Sequence, residues 1–226
     1  EVRVGLQTGD DFRFVRTFWE VNPERIGHSA QETTTGKRWV PFAKGGEYSP
    51  YWADIHLLVD WADDGATLRS FKGARPQNTQ YYFEAGLTWP PRTNSGFGMR
   101  LLSSGCVFAH KGCGVFPRQD PLSVLGWLRS RLVQAMVDAM VAAGEEVSSG
   151  GASRSYEVGL VQKLPWVEVS ELADVTGRLA RRGGDSDCYD ETTRRFVACV
   201  WPAFDGLDEL LEQLADGGVV DAFVNE

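Results

Sequence analysis

The sequence predicts an α+β fold: a mixed, largely antiparallel twisted sheet with long loops in the first half and helices in the second. Three observations carry that expectation. Up to Arg118, short apolar and aromatic runs alternate with glycine, proline and acidic turn signals. From Gln119 the apolar residues recur at spacings of three and four, the period of a helix face. No parallel strand-helix alternation opens on a phosphate-type glycine loop, so a Rossmann-like sheet is not expected.

In chain order, "VRVGLQT" reads as a strand followed by the turn "GDD", where Asp10 and Asp11 serve backbone geometry. "FRFVRTFWEV" is too aromatic for periodicity to choose between strand and helix. "GKRWVPF" is a short strand interrupted by Pro41, whose missing N–H suits an edge or an end. "DIHLLVDW", Asp54 to Trp61, is a clearer strand, and "ADDGATLRSF" after it is a turn leading to another extended segment. "QYYFEAGLTWP" and "GMRLLSSGCVFAHKG" add two more.

A helix is expected over Gln119 to Gly144, capped by Ser123, with Leu125, Leu128, Leu132, Ala135, Met136, Ala139 and Met140 as its buried stripe and Gly144 as its stop. "EEVSSGGASRSYEVG" is a flexible connection and "YEVGLVQKLPWVEV" a short extended segment ended by Pro165. "VSELADVTGRLARRGG" and "LDELLEQLADGG" are helical, while "DCYDETTRRFVACVWP" between them stays ambiguous. The expected division is 1–118, sheet-rich, and 119–226, helical, packed together as one module.

Composition bounds the function. With 226 residues, 42% of them hydrophobic, and eight tryptophans, the chain can bury a core and is not disordered. The first residues, "EVRVGLQTGDDF", do not read as a signal peptide, and no uninterrupted apolar stretch is long enough to span a membrane. Four scattered cysteines fit a reducing, cytoplasmic setting better than a disulfide scaffold. The chain begins at Glu1 rather than methionine, as an excised piece of a longer protein would. The net charge of −8 hides an asymmetry: residues 1–118 hold 14 Lys and Arg against 12 Asp and Glu, leaving 9 against 19 for the remainder. The first half is therefore open to a nucleic-acid partner, with modest affinity expected.

Independent catalytic chemistry is hard to assemble. "CVFAHKGC" offers Cys106, His110 and Cys113, but structural zinc wants four ligands in paired clusters, so two buried thiols beside a loop histidine are expected instead. There is no nucleophile elbow, phosphate loop or dinucleotide fingerprint. Recognition chemistry is richer. Arginine matches both acceptors of guanine, and asparagine or glutamine the acceptor-donor pair of adenine. Lysines beside glycines approach phosphates closely. Five segments carry such residues: "FRFVR", "FAKGGEYSPYW", "FKGARPQNTQYYF", "PPRTNSGFGMR" and "HKGCGVFPR".

"GLQTGDDFRFVR", Gly5 to Arg16, together with "PFAKGGEYSPYWADIHLLVDW", "RPQNTQYYFEAGLTWPPRT", "GCVFAHKG" and "SYEVGLVQKLPW", resembles the target-recognition region of large bacterial adenine-specific DNA methyltransferases. The likeness is to those of BREX and DISARM phage-defence systems and of type IIG restriction-modification enzymes. It covers roughly residues 5 to 166, and "DETTRRFVACVWP" shares it.

The resemblance implies methyl transfer from S-adenosylmethionine to the N6 amino group of adenine by a catalytic domain N-terminal to this region. The cofactor motif and the Asn/Asp-Pro-Pro-Tyr/Phe motif of that domain do not occur here; "WPPRT" has only the double proline. No activity is expected of this chain alone. Its partners would be double-stranded DNA, the catalytic domain and other defence-system proteins. Residues 1–118 would be the DNA-recognition part and 119–226 the support or docking part. Arg75, Gln77, Asn78, Arg92, Thr93 and Asn94 are the expected base-edge contacts. Arg13, Arg16, Lys44, Tyr48, Tyr51, Lys111 and Arg118 are the expected backbone contacts. Two rival readings remain: a protein-docking module using the acidic stretch Asp205 to Asp216, and a small enzyme built on His56 or His110.

Overall fold

A computed structural model describes residues 1–144, 154–167 and 169–186. The expectations for "LDELLEQLADGG", "DCYDETTRRFVACVWP" and Asp205 to Asp216 lie outside the described residues. In chain order the elements are β1 (Val2–Arg3), α1 (Asp11–Phe14), β2 (Val15–Thr17), α2 (Ala30–Thr34), β3 (Trp39–Ala43), β4 (Leu57–Asp60), α3 (Ala62–Ser70), β5 (Gly86–Trp89), β6 (Arg92–Thr93), β7 (Arg100–Leu102), β8 (Val107–Phe108), β9 (Cys113–Val115), α4 (Pro121–Leu128), α5 (Arg131–Gly144), β10 (Arg154–Ser155), α6 (Val158–Val161) and α7 (Glu171–Ser186). The fold is α+β, and its strands form two four-stranded sheets and a two-stranded ribbon.

The first sheet runs β1-β9-β5-β7 and is antiparallel throughout; the second runs β2-β4-β3-β8, with only the β3-β8 pair parallel. Two segments serve both sheets. After β1 leaves the first sheet, Leu6 bridges Ala109 beside β8, and β8 itself continues through Ala109 to Gly112 into β9. The loop holding His110 and Lys111 therefore sits at the corner where the sheets meet. The end of β3 arrives at the same corner, because the Ala109 N–H donates to the Ala43 carbonyl at 2.9 Å.

Strands β3 and β5 are buried at every position, which is how a strand reads when both faces are covered. Against the first sheet, Leu87, Trp89 and Val115 pack on Val124, Leu125 and Leu128 of α4 and on Val133, Val137 and Val141 of α5. The second sheet buries Val40, Phe42, Val59 and Phe108 with Phe14, Trp61, Leu68 and Tyr82.

Several local expectations change. Pro41 does not interrupt β3. Residues 39 and 43 turn their carbonyls away from β4, to the N–H groups of Gly27 and Ala109, so Pro41 lacks its donor on the side where pairing with β8 begins only at Phe42. "ADDGATLRSF" is helical rather than extended: Asp63, Asp64 and Gly65 take left-handed φ of 50°, 54° and 73°, and the chain then coils through Ser70. The aromatic run "FRFVRTFWEV" is helix, strand and 3-10 turn in succession.

The single long helix is two. Asp120, not Ser123, is the cap, accepting from the N–H groups of Leu122 and Ser123, and Arg129 ends α4. Ser123 is buried and accepts from the Val169 N–H at 3.0 Å. The break shifts the helical phase, so Val133, Val137 and Val141 face the core while Leu132 is left 59% exposed. "YEVGLVQKLPWVEV" is not extended at its centre, where Val158–Val161 form a helical turn. No helix among the described residues is long and apolar enough to cross a membrane.

The Trp89 indole is fully buried and donates to the Tyr156 carbonyl at 2.8 Å, while the Tyr156 N–H donates to the Pro91 carbonyl at 2.7 Å. These bonds fasten the segment entering α6 to the end of β5. Trp89→Phe keeps an aromatic ring but removes the indole donor and part of the buried volume. It is expected to lower stability by about 1–3 kcal/mol in urea unfolding, and an unchanged midpoint would show that the bond fastens nothing.

Candidate nucleic-acid interface

Two loops from opposite ends of the sheet-rich part meet back to back at the corner. Gly45 has φ +88°, and a Cβ there would overlap the carbonyl of Lys111; a Cβ on Gly112 would press on the backbone of Ala43 and Gly45. Only glycine permits both the left-handed turn and this approach. The loops are held from beneath by Arg100, which is 5% exposed and donates to the carbonyls of Glu47, at 2.9 Å, and Gly45. Burial lowers the Arg100 pKa to about 10, so the guanidinium is still charged at neutral pH. A buried cation needs such acceptors, and the loop carbonyls provide them.

Above this stack Lys44 and Lys111, with His110 and Arg92, line one cleft of about 630 Å³ whose other walls include Pro90, Pro91, Cys113 and Glu157. A smaller cleft of about 190 Å³, holding His56 and Arg100, shares only the Lys44 and Gly46 loop with it. The two histidines thus belong to different clefts. The Cys113 thiol is pushed up to about 12 by burial and by the Glu157 charge, which leaves it protonated and unreactive at neutral pH. Cys106 and Cys113 are buried, and the Cys106 thiol donates to the Ser103 carbonyl at 2.8 Å. Among the described residues, no three His, Cys, Asp or Glu side chains are placed to hold a metal ion.

The face continues along the chain segment after β1. Lys44 pairs with Asp11, which also accepts from the Thr8 hydroxyl at 2.5 Å. Burial alone would raise the Asp11 carboxyl; hydrogen bonds from Lys44 and Thr8 and the charges of Lys44 and Lys111 outweigh it and hold the group below its usual value. Gly9 lies against the backbone of Gly73, and Gln7 pairs with Arg75 through N–H···O bonds of 2.8 and 3.1 Å. The Gln7–Arg75 bridge thus lies on the same segment as Asp11, whose partner Lys44 lines the cleft with Lys111 and Arg92.

The sequence-derived candidates divide in this frame. Arg75, Gln77, Arg92 and Asn94 are exposed, as are Arg13, Lys111 and Arg118. Asn78 sits in the left-handed region with its amide nitrogen donating to the Val4 carbonyl at 2.9 Å, which turns the side chain toward its own protein. Thr93 is buried and donates to Gly96. Tyr48 and Tyr51 flank the guanidinium of Arg129, and the Tyr48 hydroxyl accepts from it at 2.9 Å. Arg118 lies on a separate cleft with Glu1, Arg3 and Trp166. Arg16 lies over the Trp39 ring and donates to the Phe12 and Val15 carbonyls. Sequence reasoning passed over Arg100 as a site residue, and no local signal marks it, because its partners are distant in the chain.

No protein-family model matches the chain. Over 142 residues it is 28% identical to the adenine-specific methyltransferase BrxX of Escherichia coli O9:H4 (strain HS), a span of 61% of this chain and 11% of that protein. Over 174 residues it is 24% identical to the adenine-specific methyltransferase PglX of Lacticaseibacillus casei (strain Zhang), 72% of this chain and 14% of that protein. The chain is a distant relative of adenine-specific methyltransferases. It spans between 11% and 14% of the length of these relatives.

Gly45→Ala tests the loop stack. It is expected to destabilise by more than about 1 kcal/mol, whereas Gly159→Ala, in a helical turn with open space around its Cβ and no positive φ, should be neutral to stabilising by up to about 1 kcal/mol in the same thermal unfolding series. Equal effects would show that the approach of the two loops imposes no constraint.

Proposed function

We propose that this chain is the DNA target-recognition module of an S-adenosylmethionine-dependent N6-adenine DNA methyltransferase of the BREX phage-defence kind, holding duplex DNA for a catalytic domain elsewhere in the parent protein. The observation that carries this reading is the cleft at the sheet corner, where Lys44, Lys111, His110 and Arg92 converge on a glycine-built loop stack. The sequence likeness to two adenine-specific methyltransferases supports the reaction class.

In this reading Lys44 and Lys111 bind phosphates, assisted by a glycine backbone that lets the strand approach closely. Arg75, Gln77, Arg92 and Asn94, all exposed, are the base-reading groups, and Arg92 lines the cleft itself. Asn78 and Thr93 act indirectly, by shaping the loops that carry Gln77 and Arg92. Taking a base out of the stack requires that the flanking duplex be held, and this module supplies the hold and the sequence choice.

The described residues do not fit S-adenosylmethionine. Their sheets are antiparallel apart from one short pair, and of the cleft glycines Gly46 lies in a strand-to-strand loop and Gly159 inside α6, neither in a glycine-rich strand-to-helix turn. The parent's catalytic domain would bind that cofactor, in the cytoplasm with the DNA.

Selection of the purified chain on a randomised duplex library, at low and moderate salt, tests the proposal. An enriched asymmetric word that survives moderate salt is expected. Arg75→Ala or Arg92→Ala should relax one position of that word at a cost of about 1–3 kcal/mol, while Lys44→Ala or Lys111→Ala should weaken all sequences alike and reduce the salt slope by about one. Retention of no duplex under any salt condition would remove the proposal.

A further inference from the structure

Phe12 is 96% exposed, in a chain whose other phenylalanines at this corner, Phe14, Phe42 and Phe108, are each at most 1% exposed. Its position is built rather than incidental. Asp10 caps the turn by accepting from the Arg13 N–H at 3.1 Å, and the Thr8 hydroxyl ties back to Asp11. The Arg16 guanidinium grips the Phe12 carbonyl at 2.7 Å. Phe14, two residues on, is driven into the core against Phe71, with ring centroids 5.2 Å apart. Half a helical turn separates Phe12 from Phe14, so burying Phe14 fixes Phe12 outward.

Cations and the capping Asp10 share the surroundings of this ring. Arg13 is exposed and lies over the Phe14 and Phe71 rings at 5.1 and 5.3 Å, and the Asp11 carboxylate beside Phe12 is neutralised by Lys44. A lone exposed aromatic ordinarily needs no explanation. One that is rigidly presented among arginines, beside a lysine of a candidate phosphate-binding cleft, has the chemistry of a side chain that enters a base stack while its neighbours hold the phosphates.

We propose that Phe12 is a wedge that inserts into the base stack of the bound duplex and opens one step beside the recognised word. This rests on the DNA-recognition reading above and adds a deformation to it: the duplex bends or parts at the step Phe12 enters, so the sequence there is selected by how readily it unstacks rather than by hydrogen bonds.

The test uses duplexes carrying 2-aminopurine at successive positions, together with a matched set carrying one abasic site. Wild-type chain should raise the 2-aminopurine fluorescence at one position and prefer the abasic duplex whose gap falls there. Phe12→Ala should lose both responses, bind intact duplex about tenfold more weakly and melt at the wild-type temperature, since the ring touches no core. Phe12→Leu should keep part of the fluorescence response. If Phe12→Ala and wild type give the same fluorescence profile and the same abasic preference while both bind duplex, the wedge is overturned and the recognition reading stands. If wild-type chain binds none of the duplexes, both fall together.

Discussion

Arg100 is a buried positive charge whose guanidinium, among the described residues, donates to the carbonyls of Gly45 and Glu47. Leaving it unsatisfied would cost several times what an ordinary hydrogen bond contributes, so the loop is drawn down over it and kept there. That constraint sets the next one. With Gly45 held on Arg100, its other side meets the Lys111 carbonyl, and glycine becomes obligatory in the turn. Lys44 and Lys111 are then carried to the same rim without needing to attract each other, a placement that two like charges would resist if the loops were free. Asp11, held ionised by the pair, offsets part of that repulsion from the far side.

This arrangement accounts for how an acidic chain can present a cationic cleft. Net charge governs solubility and long-range attraction, whereas contact with a phosphate depends on charges gathered within a Debye length of it. The first half of the sequence is nearly balanced, and the fold brings Lys44, Lys111 and Arg92 together at one corner while other acids pair with cations elsewhere: Asp60 with Arg38, Asp64 with Arg69, Glu32 with Lys37. The related methyltransferases are far longer, and this chain spans between 11% and 14% of their length.

Much of the architecture was legible where the signal was local. The strand at Leu57–Asp60, the strand at Gly86–Trp89, the helix at Glu171–Ser186 and the α+β class follow from apolar runs and their periods. What escaped depends on distant partners or on a phase error. The break after Leu128 moved the buried stripe by one residue, because a periodicity count carries no information about where a helix restarts. The left-handed run Asp63 to Gly65 resembles an ordinary turn in sequence and becomes a helix entry through the Trp61 ring above it. Of the candidate site, Lys44, Lys111 and Arg92 were legible from composition, although their convergence was not. Asn78 and Thr93 have suitable side chains for base reading, but Val4 and Gly96 claim them first. Phe12 and Phe14 are alike in sequence, and only the packing of one leaves the other outside.

The central claim is that DNA meets the protein at the corner built by the two glycine loops. Hydrogen exchange of the chain with and without saturating duplex locates the contact directly. Slower exchange in residues 7–13, 44–47, 72–78 and 110–112 is the predicted result. Protection confined to α5 or α7, with these four segments unchanged, would contradict it.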